Sequence, residues 1–330
     1  MTDYRSIKYK VPTLNLDGTT EASPVEGEMW YDSGKFYLGT SLSFPGTWSS
    51  GGNLGTARWD LAGAGTQTAG LCMGGYISSP SEQVLNVTEE YNGTAWSSGG
   101  NLGTARNALA GAGTQTAGLC MGGDDGSLSN VTEEYNGSSW SSGGNLATAR
   151  RVLAGCGTQT AGLCMGGWDG SASNVTEEYD GTSWSSGGNL ATARHDLTGC
   201  GTQSAGLCMG GDNGVGAANL SNVTEEYNGT AWSSGGNLAT ARENLGGCGT
   251  QSAGLCMGGS GGTNVTEEYD GSSWSSGGNL ATARYGLVGA GTQSAGLCMG
   301  GYSSGASNVT EEYTGGTGSY DELFTASQGL

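Results

Sequence analysis

Short apolar runs alternate along this chain with polar, glycine-rich turns, and they return on a nearly fixed beat. The repeating unit reads R-x-x-L-x-G-[AC]-G-T-Q-[ST]-A-G-L-C-M-G-G, a variable stretch, N-V-T-E-E-Y, a turn, and W-S-S-G-G-N-L-[GA]-T-A-R. Each unit holds four short runs, and this pattern predicts four β-strands. The first follows the Arg and ends near Thr-Gln. The second is A-G-L-C-M, the third N-V-T-E-E-Y and the fourth W-S-S-G-G-N-L. Asn-Gly or Asp-Gly, as in Asn92-Gly93 and Asp180-Gly181, separates the last two. These dipeptides accept the positive φ of a tight hairpin turn.

The markers keep step. Arg58, Arg106, Arg150, Arg194, Arg242 and Arg284 stand 42 to 48 residues apart. Four strands per unit at that spacing predict the blades of a β-propeller. The last unit, from Arg284 to Tyr313, lacks its Trp segment, and an orphan Trp segment around Trp48 precedes the first Arg. The N-terminal strand is therefore expected to complete the sixth blade and close the ring, which removes exposed sheet edges. The expected organisation is an N-terminal arm over residues 1–40 and a six-bladed propeller over 41–330.

The unit resembles the kelch repeat. The double Gly closing a strand (Gly122-Gly123), the Tyr and Trp a few residues apart (Tyr135, Trp140) and the Arg opening the next unit carry that resemblance over residues 48 to 313. It implies an all-β, six-bladed kelch-like β-propeller, with the repeat arginines and Trp48, Trp96, Trp140, Trp184, Trp232 and Trp274 as structural residues. The first strand departs from the family, carrying G-[AC]-G where bulkier aliphatics are usual.

Alternation along the third run puts Val131, Glu133 and Tyr135 on one face. A Glu buried between blades needs a partner, and the repeat supplies one Arg per blade. An Arg–Glu bridge is expected in each blade or between neighbours, and loss of one buried partner would cost about 3–5 kcal/mol. Of the nine cysteines, six alternate with Leu and Met as small hydrophobes. The others, Cys156, Cys200 and Cys248, stand where other units have Ala64, Ala112 and Ala290, which also reads as small-residue packing. A Cys156–Cys164 disulfide is the lesser alternative.

Composition narrows the partners. The net charge is −19 with only 11 basic residues, which argues against nucleic acid or an anionic membrane. The N-terminus shows no apolar signal region and no membrane span. The N-V-T sequons at Asn86, Asn130 and elsewhere therefore read as coincidence. No cofactor is expected. With a single His and no ligand spacing, neither is a metal.

Comparing units locates the candidate site. Two places vary: the connection between the second and third strands, and the residue pair after each Arg. Antiparallel strands put both on one face, opposite turns that barely change. A uniform scaffold with one diversified face suits binding. That face should carry Trp59, Tyr76, Trp168, Tyr285 and Tyr302 beside Asp60, Asp124, Asp125, Asp169, Asp196 and Asp212, with His195 at the surface. Aromatic platforms beside carboxylates suit sugars. Ca²⁺ at Asp124-Asp125-Gly126 or Asp212-Asn213-Gly214 is a weaker alternative, because the loops lack full ligand spacing. An enzyme is not expected. No Ser-His-Asp set is apparent, the paired Glu recurs in every blade, and the His ligands of kelch-type copper oxidases are missing.

The first 47 residues differ in composition. P-V-E-G-E-M-W-Y-D-S-G-K, from Pro24 to Lys35, resembles segments of bacteriophage tail-fibre and other virion proteins, and a short strand pair is expected there. The resemblance implies a virion structural protein, in a tail fibre or on the capsid surface. It would be assembled in the host cytoplasm, joined to other virion proteins through the arm, and would present the propeller to a host surface polysaccharide. An intracellular kelch-type interaction scaffold and an inert architectural virion component are the alternatives.

Overall fold

The structure, a computed structural model, describes residues 29–32, 35–38, 45–78, 81–214, 219–316 and 321–325. All its regular elements are strands, and no helix among the described residues is long and apolar enough to cross a membrane. The chain divides into two compact units. Gly46–Gly315 is one, and Met1–Pro45 groups with Gly316–Leu330 in the other.

In the smaller unit Met29–Asp32 pairs antiparallel with Lys35–Leu38, in register Asp32↔Lys35. This is the strand pair expected from the sequence. Asp321–Thr325 adds a third strand, with a bulge between Phe36 and Tyr37. The rest of the expected 1–40 arm lies outside the described residues.

The larger unit is a six-bladed β-propeller. The second blade shows the plan: Ala110–Thr114, Ala117–Met121, Thr132–Tyr135 and Trp140–Ser142 form a four-stranded antiparallel sheet in chain order. The sixth blade combines Val288–Gly291, Ala295–Met299 and Thr310–Thr314 with Thr47–Ser50. There Tyr313 faces Trp48 and Glu311 faces Ser50, so the N-terminal strand closes the ring as expected.

The glycine-rich first strand has a packing cause. Six innermost strands converge on one axis. A Cβ built on Gly111 would lie 2.6 Å from Gly63 O of the preceding blade, and one on Gly289 would lie 2.7 Å from Gly247 O. Larger side chains would force the strands apart. Facing layers of Leu, Met, Cys and Tyr fill the blade interfaces. In one such cluster Leu71 and Met73 of the first blade pack with Cys120 and Tyr135 of the second.

Polar groups fasten each blade to the one before it. Tyr135 Oη donates to Glu90 Oε1 at 2.5 Å. Trp140 Nε1 donates to Thr88 Oγ1 at 2.9 Å. Gln115 Nε2 donates to Gly70 O and Tyr91 O at 3.0 and 2.7 Å. The closing seam uses the same set: Tyr91 to Glu312, Trp96 to Thr310, and Gln67 to Gly296 and Tyr313.

The expected Arg–Glu bridge is present in all six blades, within the blade. Arg106 Nη2 lies 2.8 Å from Glu133 Oε1, and Nη1 donates to Gly122 O and Val131 O. Glu133 Oε2 also accepts from Gly103 N at 2.6 Å. The carboxylate thus anchors the chain arriving from the previous blade. Arg58, Arg150, Arg194, Arg242 and Arg284 pair likewise with Glu89, Glu177, Glu225, Glu267 and Glu311. Breaking such a buried pair costs far more than the pair contributes net.

All nine cysteines are free and buried. Cys156 faces Leu163 while Cys164 faces Gly155, so the register does not set the two thiols opposite each other. Burial pushes the Cys120 thiol up to about 11, leaving it inert as a nucleophile. The sequon amide of Asn130 is half-buried and donates from Nδ2 to Leu146 O.

Candidate functional site

The two variable places meet directly. In each blade the first residue after the Arg pairs through its backbone with the residue after the double Gly. The pairs are Trp59↔Tyr76, Asn107↔Asp124, Arg151↔Trp168, His195↔Asp212 and Tyr285↔Tyr302. In the fifth blade Ser260 N donates to Glu243 O at 2.8 Å. One face of the propeller therefore collects nearly all the sequence variation.

The second residue after each Arg has a different task. Asp60, Ala108, Val152, Asp196 and Asn244 have φ between 48° and 54°, and Gly286 has φ 60°. Their backbones form a closed circle of hydrogen bonds. Ala108 N donates to Asp60 O, Val152 N to Ala108 O, Asp196 N to Val152 O, Asn244 N to Asp196 O, Gly286 N to Asn244 O and Asp60 N to Gly286 O, at 2.8–3.0 Å. Left-handed backbone is costly for a β-branched Val. The circle supplies the compensating contacts and fixes five side chains and Gly286 around the mouth of the axis.

The face has two halves. Where the sixth blade meets the first, Trp59 stands edge-on to Tyr76, Tyr302 and Tyr285, with centroids 5.6, 5.7 and 6.3 Å away, and Tyr285 and Tyr302 are 5.3 Å apart. Trp59 Nε1 is buried there without a hydrogen-bond partner among the described residues. The other half is charged. Arg151 Nη1 pairs with Asp124 Oδ2 at 2.7 Å. His195 sits edge-on to Trp168 at 5.1 Å, with Nδ1 2.7 Å from Asp196 Oδ2 and Nε2 3.9 Å from Asp212 Oδ1. A pocket of about 350 Å³ opens here, walled by Asp124, Arg151, Trp168 and His195 and floored by Asp60 and Asp196. That size suits a small ligand.

Electrostatics mark the floor. Asp60 is crowded by protein, and desolvation pushes its carboxyl up to about 7. The Asp196 charge adds to the rise and Arg151 opposes it. Glu243 is also raised, first by burial and then by Asp196 and Asp212. The bond to Asp196 raises His195, against the effect of burial.

Of the residues expected from sequence, Asp60, Asp124, Trp168, His195 and Asp196 line the pocket, with Asp212 beside it. Trp59, Tyr76, Tyr285 and Tyr302 form the aromatic half. Asp125 and Asp169 sit in turns: Asp125 Oδ1 accepts from the Ser127 hydroxyl, and Asp169 Oδ1 from Ser171 N. The two loops weighed for Ca²⁺ bond to themselves, with Asp124 Oδ1 accepting from Gly126 N and Asp212 Oδ1 from Gly214 N. Sequence reasoning passed over Asn107, Arg151 and Glu243 as site residues, although their place in the variable pair after each Arg was the signal. Among the described residues one group of three side chains brings possible ligand atoms close together. His195, Asp196 and Glu243 offer donor atoms that all lie within 4.8 Å of one another.

Fold and site together define a six-bladed β-propeller with one diversified, pocketed face. The chain is similar to the solved structure of YjhT, with a TM-score of 0.65 and 13% sequence identity over 80% of this chain and 96% of that one. At that identity the likeness establishes the fold. No family model matches the chain, and no curated protein matches it.

Proposed function

We propose that this chain is a non-enzymatic binding protein of a bacteriophage virion, and that the pocketed face of its propeller takes a carbohydrate of the host surface. The observation that carries the reading is the contrast between the two faces. The turns on one side repeat almost unchanged, while both variable places meet on the other, where a pocket opens. The residues there suit a sugar: Trp168 offers a ring for an apolar sugar face, and Asp124, Arg151 and Asp196 offer acceptors and donors for hydroxyls. The kelch-like repeat and the virion-like string at Pro24–Lys35 supply the setting, with the arm joining other virion proteins.

The test is binding of the full chain to a panel of bacterial surface polysaccharides by calorimetry. The expected result is binding that Trp168→Ala weakens at least tenfold, about 1.4 kcal/mol, and that Thr94→Ala on the opposite face leaves unchanged. Absence of binding across a broad panel, or binding indifferent to Trp168, would favour an architectural component instead.

A further inference from the structure

We propose that His195, Asp196 and Glu243 together hold a divalent transition-metal ion, Zn²⁺ or a close relative, at the edge of the pocket. The inference stands whether or not the face binds a glycan.

The three residues come from two successive blade connections, which bring one imidazole nitrogen and two carboxylates together. Their donor atoms lie within 4.8 Å of one another. A tetrahedral zinc site with bonds of about 2.0–2.1 Å needs ligand atoms roughly 3.3 Å apart, so small side-chain rotations complete the set. Two features hold the ligands ready. Asp196 belongs to the closed backbone circle, which fixes its Cα. His195 is clamped by its backbone pairing with Asp212 and by the Trp168 ring. Its Nδ1 faces Asp196 at 2.7 Å, and its Nε2 faces Asp212 at 3.9 Å. With the ion on the Nδ1 side, Asp212 stands where a carboxylate orients a metal-bound imidazole.

Charge points the same way. Asp196 and Asp212 flank the two ring nitrogens of His195, and Asp60 lines the same pocket as Asp196. The Arg on this face, Arg151, is already paired with Asp124. A cation seated among these carboxylates relieves the repulsion. The nitrogen donor favours a transition metal over Ca²⁺, which takes oxygen ligands.

His195 is the sole histidine of the chain, so untagged protein labelled with ¹⁵N-histidine gives one imidazole signal set. Titration with ZnCl₂ is expected to move that set to a bound position at one equivalent, and CaCl₂ is expected to leave it in place. By calorimetry, His195→Gln and Glu243→Gln should each weaken zinc binding by about 100-fold, at or beyond the upper end for outer-sphere partners. Asp180→Asn should bind as the parent does, since Asn already stands at the matching turns Asn92, Asn136 and Asn228. If a variant fails to fold, the imidazole titration of the parent protein decides by itself. Zinc that binds without moving the imidazole signals is held elsewhere, on thiols for instance, and overturns the proposal. So does zinc binding that Glu243→Gln leaves intact.

Discussion

Asp60 shows how one position serves structure and surface at once. Its backbone closes the hydrogen-bonded circle, and its carboxyl is pushed up to about 7, mainly by desolvation. A carboxyl raised in the folded state holds its proton more tightly there than in the unfolded chain. Between about pH 4 and pH 7 the folded state therefore binds more protons, and this residue's contribution falls as pH rises. Asp60→Asn should accordingly stabilise the protein more at pH 8 than at pH 4. The differential is about 1.4 kcal/mol per pKa unit of elevation, a few kcal/mol at most. Asn also tolerates positive φ better than Asp, as Asn244 does in the fifth blade, but that gain does not vary with pH. Equal changes in melting temperature at the two pH values would show that Asp60 is not raised.

Residue chemistry was readable from sequence where the repeat made it an accounting problem. One Arg and one inward Glu per unit implied a bridge, and exchange of Cys with Ala implied a small buried site. Two things were hidden. Nothing in Ala108 or Val152 signals left-handed backbone, because those residues are not turn formers and the conformation is imposed by neighbouring blades. Glu243 stands a full repeat beyond His195, so no local spacing links them.

At the scale of the element, the packing of the innermost strands explains why the first run of each unit is built on glycine and small residues. Their glycines are spaces reserved for the backbone of the adjacent blade. Gly111→Ala should destabilise the fold by about 1–3 kcal/mol, the usual cost of overpacking, because its Cβ would press on Gly63 O. Gly305→Ala, with open space around it, should change stability by less than about 0.5 kcal/mol. Urea denaturation of both variants checks the contrast, and an unaffected Gly111→Ala would mean that the inner strands can spread. The four strands of each blade and their order were legible because turn signals and alternation recur from unit to unit, whereas the short pair Tyr76–Ile77 and Gln83–Val84 inside a variable connection was not. Nor was the strand Asp321–Thr325, since the residues around it carry no copy of the unit.

At the scale of the whole molecule, ring closure sets which side chains become neighbours. Trp59 meets Tyr302 across the seam where the last unit lies against the first, in the ring that Thr47–Ser50 completes. The sequence showed that both residues share a face, and the structure adds that they share a cluster. A chain beginning after Ser50 loses Trp48, its contact with Tyr313 and its bond to Thr266. Losing a packed Trp costs about 3–5 kcal/mol, so the melting temperature should fall by roughly 10 °C. An unchanged melt would mean that five complete blades hold the ring without the sixth being whole.

The closed circle of six peptide groups has an electrostatic corollary. At the end of an α-helix, aligned peptide dipoles leave a fixed partial charge that attracts ions whatever the side chains. In the circle every N–H points toward the C=O of the preceding blade, so the dipoles run head to tail around the axis. By near-sixfold repetition their in-plane components cancel. The circle therefore adds no in-plane field at the mouth of the axis, and what differs from blade to blade there is the side chains the circle carries: acidic at Asp60 and Asp196, polar at Asn244, apolar at Ala108 and Val152, absent at Gly286. Exchange of those six residues would re-tune the mouth while the scaffold beneath stays the same.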